Sequence, residues 1–103
     1  MPEHRLTGGE IVRDRLLAEG VPYLVGVPGH GIIATLDAFH TSADRIKILQ
    51  VRHEQSAVHL ADGYYRVAGK PLAVFTSIGP GALNTAVGLG ASYVDSTAVL
   101  VLS

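Results

Sequence analysis

The chain has 103 residues, of which 48% are hydrophobic and 17% charged, with a net charge of −1. That describes one domain at most with a sizeable core, not a disordered segment, and gives no electrostatic reason for nucleic acid or an anionic membrane as partner. No cysteine is present, which excludes a disulfide framework, a thiolate metal site and a thiol nucleophile.

The polar opening MPEHRLTGGE has the character of neither a secretory signal nor a transit peptide, and no apolar run approaches the roughly 20 residues that span a bilayer. The expectation is a soluble, cytoplasmic protein. Thr7 followed by Glu10 has the form of a capping box, and Ile11, Val12, Leu16 and Leu17 then give a helical stripe ending at Gly20. Tyr23–Val27 reads as a short strand and Pro28-Gly29-His30-Gly31 as a turn. A second helix is expected over about 32–39, and the polar Thr41–Arg45 joins it to a strand at 46–51, which reads as buried. His4 and His40 are taken as surface residues.

A third helix runs from about Glu54 to Ala68 and stops at Gly69, before Lys70-Pro71. Leu72–Thr76 is the third strand, Ser77-Ile78-Gly79-Pro80-Gly81 a turn, Ala82 to about Ser92 a small-residue helix, and Ser96–Leu102 a fourth strand. Strands that read as continuous apolar runs alternating with helices predict an α/β fold, a parallel sheet with helices on both faces. The chain ends on the apolar Val99-Leu100-Val101-Leu102, so the pattern reads as cut short after the fourth strand: a fragment of a longer polypeptide, or a chain whose partner supplies the missing cover.

Most familiar site motifs fail against the letters. His53-Glu54 begins like H-E-x-x-H, but Ala57 stands where the second histidine is needed. His53 and His59 lie about 240° apart around a helix and cannot share a metal unaided, so no metal site is assigned. Gly79 to Asn84 opens like G-x-G-x-x-G but ends on Asn, with Pro80 removing a donor, and neither a P-loop nor a nucleophile elbow occurs. What remains are three strand-end loops that a parallel sheet brings to one edge: Pro28–Gly31, Arg52–Gln55 and Thr76–Gly81. Two are glycine-proline turns through which backbone can approach a flat ligand closely, and the middle one carries the single acid, Glu54. On residue type alone two readings of Glu54 stand: a ligand-contacting carboxylate, or a first-turn acid stabilised by the helix dipole.

The strings R-H-E-Q-x-A-x-H-x-A-D-G-Y-x-R-x-x-G-K at 52–70 and T-S-x-G-P-G-A-x-N at 76–84, with V-x-V-P-G-x-x-I at 25–32 and T-x-x-E-I-V-x-x-x-L at 7–16, resemble the N-terminal pyrimidine-binding domain of thiamine-diphosphate enzymes of the acetolactate synthase type. The resemblance covers essentially the whole chain, 1–103, as a partial domain. It implies that Glu54 is the acid hydrogen-bonded to the aminopyrimidine ring nitrogen, favouring the imino tautomer that generates the nucleophilic ylid for attack on a 2-oxo acid such as pyruvate. Glu54 must then be able to carry a proton near neutral pH, which asks for a desolvated carboxyl. It further implies that Pro80 and Asn84 lie by the pyrimidine and that Pro28 and Gly29 sit in the turn closing over the site. Gln55 helps hold the carboxylate or neighbouring polar groups, or is a simple surface glutamine; for His59 a structural hydrogen bond is expected ahead of a catalytic role.

Two positions depart from the pattern. Ile78 stands where many relatives run straight from serine into Gly-Pro-Gly, and His30 stands where synthases often carry glycine. His30 is a substrate-pocket candidate, as proton donor or steric selector, with a solvent-facing turn residue as the alternative. The diphosphate and its Mg²⁺ would be held by a separate domain of the same or another subunit, for which no Gly-Asp-Gly motif is present here. By the resemblance the chain alone would be inactive, with a homo-oligomer expected and FAD left undetermined. The alternative function is a non-catalytic truncated module that pairs with a full-length subunit.

Overall fold

The computed structural model describes residues 5–103; His4 lies outside the described residues. The capping box forms as read: Thr7 Oγ1 accepts from the Glu10 amide at 3.2 Å, and Glu10 Oε1 accepts from the Thr7 amide at 3.0 Å. These bonds open α1 (Gly8–Ala18), followed by β1 (Tyr23–Gly26). The expected second helix is shorter and broken, with 3₁₀ turns at His30–Ile32 and His40–Ser42 flanking α2 (Ile33–Asp37). β2 (Lys47–Gln50), α3 (Glu54–Ala68) and β3 (Ala73–Phe75) follow.

The small-residue helix starts at Pro80, earlier than expected, and is interrupted at Asn84-Thr85, giving α4 (Pro80–Leu83) and α5 (Ala86–Asp95). At the break the Thr85 hydroxyl donates to the Ala82 carbonyl at 2.7 Å, and the Thr85 amide takes the same acceptor, tightening the turn. β4 is confined to Leu100–Leu102 because Ser96 turns left-handed (φ 57°) after α5.

The four strands are all parallel, in the order β2-β1-β3-β4. Alternation along them divides the interior between the two faces of the sheet. Leu24, Ala73 and Phe75 pack with Leu16, Ile32 and Phe39 from the α1–α2 side. Val25, Leu72 and Val74 pack with Ala57, Val58 and Ala61 of α3.

One expectation is corrected. The strand at 46–51 is not buried: Ile46 is, but Lys47, Ile48 and Gln50 are exposed. The reason is topology, since β2 pairs only with β1 and forms a sheet edge, where the short, broken α2 leaves Ile48 uncovered. Among the described residues no helix is long and apolar enough to cross a membrane.

A polar cluster ties α3 to the approach to β4. Asp62 Oδ1 accepts from the hydroxyls of Ser92 and Thr97, while Oδ2 accepts from Arg66 Nε at 2.9 Å. Arg66 reaches on to Asp95 at 2.6 Å. The Thr97 hydroxyl first, then Arg66 and Ser92, hold the Asp62 carboxyl below its ordinary value of 3.8. A depressed carboxyl contributes stability that is present above its unfolded value and is lost as pH falls through its folded one. Acid unfolding followed by circular dichroism should therefore show a stability loss below about pH 4 that Asp62→Asn flattens.

The crossing of α3 and α5 yields a second prediction. A Cβ on Gly88 would stand 2.7 Å from Val58 Cβ, whereas one on Gly90 would meet nothing within 4 Å. Urea unfolding should show Gly88→Ala destabilised by about 1–3 kcal/mol through overpacking and Gly90→Ala stabilised by roughly 0.5–1 kcal/mol through helix propensity.

Candidate active site

The end of β2 delivers the chain to the start of α3 through one fixed turn. The Val51 amide donates to the Gly26 carbonyl at 2.9 Å, completing the ladder, and Arg52 and His53 then leave the sheet. His53 is extended (φ −150°, ψ 138°) and caps α3, its Nδ1 accepting from the Gln55 amide at 3.0 Å. The accepting role requires Nδ1 to carry no proton. Glu54 is thus the first helical residue, held inward with 8% of its surface exposed.

Among the described residues the Glu54 carboxylate has one hydrogen-bond donor: Oε1 accepts from Asn84 Nδ2 at 3.1 Å. Oε2 lies over Gly81, where a Cβ would be only 3.0 Å away. None of the ion pairs among the described residues involves Glu54. The result is a buried acid with a neutral donor on one oxygen and a surface stripped of side chain under the other.

The loops after β1 and β3 meet beside it. Ser77 Oγ accepts from the Gly31 amide at 3.3 Å, and a Cβ on Gly29 would stand 2.4 Å from Ser77 Cβ, so only glycine permits the approach. Ile78 Cγ2 lies against Gly31. Gly79 adopts φ 62°, ψ −122°, a conformation open essentially to glycine, and this re-aims the chain so that Pro80 begins α4. Gly81, near both the Glu54 carboxylate and Ser77, links the two halves. β1 and β3 are neighbours whose onward connections run to opposite sides, β1 to β2 and β3 to β4. The loops therefore converge at the switch point of the strand order, where open α/β sheets bind ligands.

Among the residues singled out from the sequence, Glu54, Asn84 and Gly29 fall within this convergence, and Pro28 and Pro80 are exposed in the two turns. His30 is exposed at the head of its 3₁₀ turn. Of the groups expected to partner it, Gln55 engages a neighbouring polar side chain and not the carboxylate. Its Nε2 faces His59 Nε2 at 3.3 Å, one turn along α3, because residues four apart stack on one helix face while Glu54 points to another. His59 thereby has the structural hydrogen bond expected of it. Sequence reasoning missed Ser77, Gly81 as the floor under Oε2, and the direct Asn84–Glu54 bond. The signal for the two loop residues was the glycine spacing 29, 31, 79, 81; nothing in the letters pairs residues 30 positions apart.

Residues 6–103 match the family described as thiamine pyrophosphate enzyme, N-terminal TPP binding domain. The chain is 43% identical over 99 residues to the acetolactate synthase large subunit of Haemophilus influenzae, an alignment covering 96% of the chain and 17% of that subunit. It is 42% identical over 98 residues to the acetolactate synthase isozyme 3 large subunit of Escherichia coli, covering 95% and 17%. It is 39% identical over 103 residues to a probable 2-ketoarginine decarboxylase of Pseudomonas aeruginosa, covering 99% and 18%. The chain thus spans about a sixth of the length of these relatives.

The cap makes a prediction independent of chemistry. His53→Ala should lower stability by about 1 kcal/mol in chemical unfolding, and His53→Asn, which restores an acceptor at the cap, should recover most of it.

Proposed function

Because the chain belongs to the thiamine pyrophosphate enzyme family, as its N-terminal TPP-binding domain, we propose that Glu54 is the acid that exchanges a proton with the cofactor's aminopyrimidine. The whole protein is then a cytoplasmic thiamine-diphosphate-dependent enzyme making or breaking C–C bonds of 2-oxo acids, in the manner of an acetolactate synthase. The observation that carries this reading is the Glu54 carboxyl itself: buried, with one neutral amide donor on Oε1 and, among the described residues, in no ion pair.

The donor set fits the group. A carboxyl whose Oε2 overlooks a glycine can accept a flat ring, and the cradle beside it is kept open by glycines: a Cβ on Gly29 would stand 2.4 Å from Ser77 Cβ and one on Gly81 3.0 Å from Oε2, while Gly79 turns the chain with its positive φ. Glu54 would hold the ring nitrogen, with Asn84, Pro80 and Gly81 on one side and Pro28 and Gly29 on the other. When bound, thiamine diphosphate supplies the carbon nucleophile and the electron sink.

The chain's own contribution is to orient the ring, to keep water from Glu54 by burial, and to hold and release a proton at Oε2. The position of Glu54 at the N-terminus of the 15-residue α3 stabilises the carboxylate after it has given its proton away. We assign the diphosphate and Mg²⁺ to a second domain, from the same or another subunit of a homo-oligomer. His30, exposed beside the glycines, stands at the mouth where a 2-oxo acid would enter.

The test is to graft residues 6–103 over the matching segment of the Escherichia coli large subunit and to compare the graft with its Glu54→Gln variant. The amide keeps the shape but cannot exchange the proton, so kcat should fall by about 10²–10⁴-fold with an unchanged circular dichroism spectrum. Equal turnover in the two proteins would overturn the proposal.

A further inference from the structure

We propose that Asn84 is a positioning residue that acts through Glu54: by donating to Oε1 it confines the exchangeable proton to Oε2, the oxygen facing the glycine floor. The inference rests on the reading of Glu54 given above and adds to it the device that distinguishes two otherwise equivalent oxygens.

The chemistry of the contact fixes its direction. An ionised carboxylate only accepts hydrogen bonds, so the amide must present its nitrogen, as it does at 3.1 Å. An oxygen already accepting from Asn84 is the poorer place for a proton, and the proton goes to Oε2. Oε2 lies over Gly81, the side on which a Cβ is missing. Without the donor, a half-turn of the carboxyl group would interchange the oxygens and leave the proton on the wrong one for part of the time.

The base of the Asn84 side chain is itself held. Its amide donates to the Pro80 carbonyl at 2.9 Å, and the following residue is pinned by the Thr85 hydroxyl on the Ala82 carbonyl. The break between α4 and α5 therefore does more than end a helix, because it places this amide across from the first turn of α3. Gln55, adjacent to Glu54 in sequence, is occupied with His59. Asn84 is the side-chain donor to this carboxylate among the described residues.

Asn84 is also the only asparagine in the chain, so its side-chain amide can be observed without ambiguity. In ¹⁵N-correlated spectra of the 103-residue protein, the Nδ2 resonance should move towards its free-amide position in Glu54→Ala. In the graft described above, Asn84→Ala should lower kcat by about 10–100-fold, the loss of a hydrogen bond to a charged group, and leave KM for the 2-oxo acid within about threefold. Asn84→Asp preserves the shape and replaces the donor with an acceptor. Its kcat should be at least as low at neutral pH and should partly recover on acidification, when the introduced carboxyl gains a proton to donate, whereas Asn84→Ala should show no such recovery.

An Nδ2 resonance indifferent to Glu54→Ala, or an Asn84→Asp graft with the parent kcat while Glu54→Gln is inactive, would overturn the positioning role and leave that of Glu54 intact. A Glu54→Gln graft as active as its parent would overturn the reading of Glu54 itself.

Discussion

A carboxylate withdrawn from water, in no ion pair among the described residues, is the constraint around which this site is arranged. Burying an ionised group costs several kcal/mol unless hydrogen bonds and dipoles compensate. Glu54 has three local sources of compensation. Asn84 donates to Oε1, the N-terminal end of the α3 dipole lies at its backbone, and His53 keeps that end ordered by accepting from the Gln55 amide. None of the three is a formal positive charge, and that is what distinguishes this site from an ion pair. An arginine facing Glu54 would pair with it as an ion, whereas the Asn84 amide satisfies Oε1 as a neutral donor and leaves Oε2 over Gly81.

The fold supplies the location. A parallel sheet in the order β2-β1-β3-β4 sends the connections of β1 and β3 away from each other, and the gap between their carboxyl ends is where the Pro28–Gly31 and Ser77–Gly81 loops come together. The approach is closer than side chains would allow. Gly29 and Gly31 sit against Ser77 and Ile78, and the positive φ of Gly79 turns the chain into α4. The Ser77–Gly31 hydrogen bond then joins loops 46 residues apart in sequence, so the two walls of the cradle are fixed to each other as well as to the sheet.

Much of this was legible from the letters, for identifiable reasons. α3 was read with its true ends because it has every local cue: a polar turn before it, a 3.6-residue stripe of Ala57, Val58 and Ala61, and Gly69 in the left-handed conformation at its end. The parallel sheet followed from uninterrupted apolar strands, and the convergence of the three loops followed from the sheet. What escaped was set by partners distant in sequence. Lys47–Gln50 looks like a core strand by composition, but its exposure depends on having a single neighbour and on α2 breaking into 3₁₀ turns. Gln55 looked available to the carboxylate or to a neighbouring polar group, and only helical geometry decides for the second, His59. The Asp62 cluster, which gathers Arg66, Ser92, Asp95 and Thr97, has no periodic signature at all.

α3 also couples stability to chemistry. One face of it contributes Ala57, Val58 and Ala61, all fully buried, to the cluster with Val25, Leu72 and Val74, and each large apolar side chain so buried is worth about 1.5–3 kcal/mol. Its first residue is the acid of the site, its fifth meets Gly88 of α5, and its ninth holds the Asp62 cluster. The packing that fixes the helix axis therefore fixes the carboxyl, and the α4–α5 segment that carries Asn84 is held against the same helix at Val58 and Asp62. A shift of α5 relative to α3 would lengthen the Asn84–Glu54 bond even though neither residue had changed. Core complementarity along α3 is in this sense part of the site, because a proton confined to one oxygen requires two elements to keep their distance to within a few tenths of an ångström.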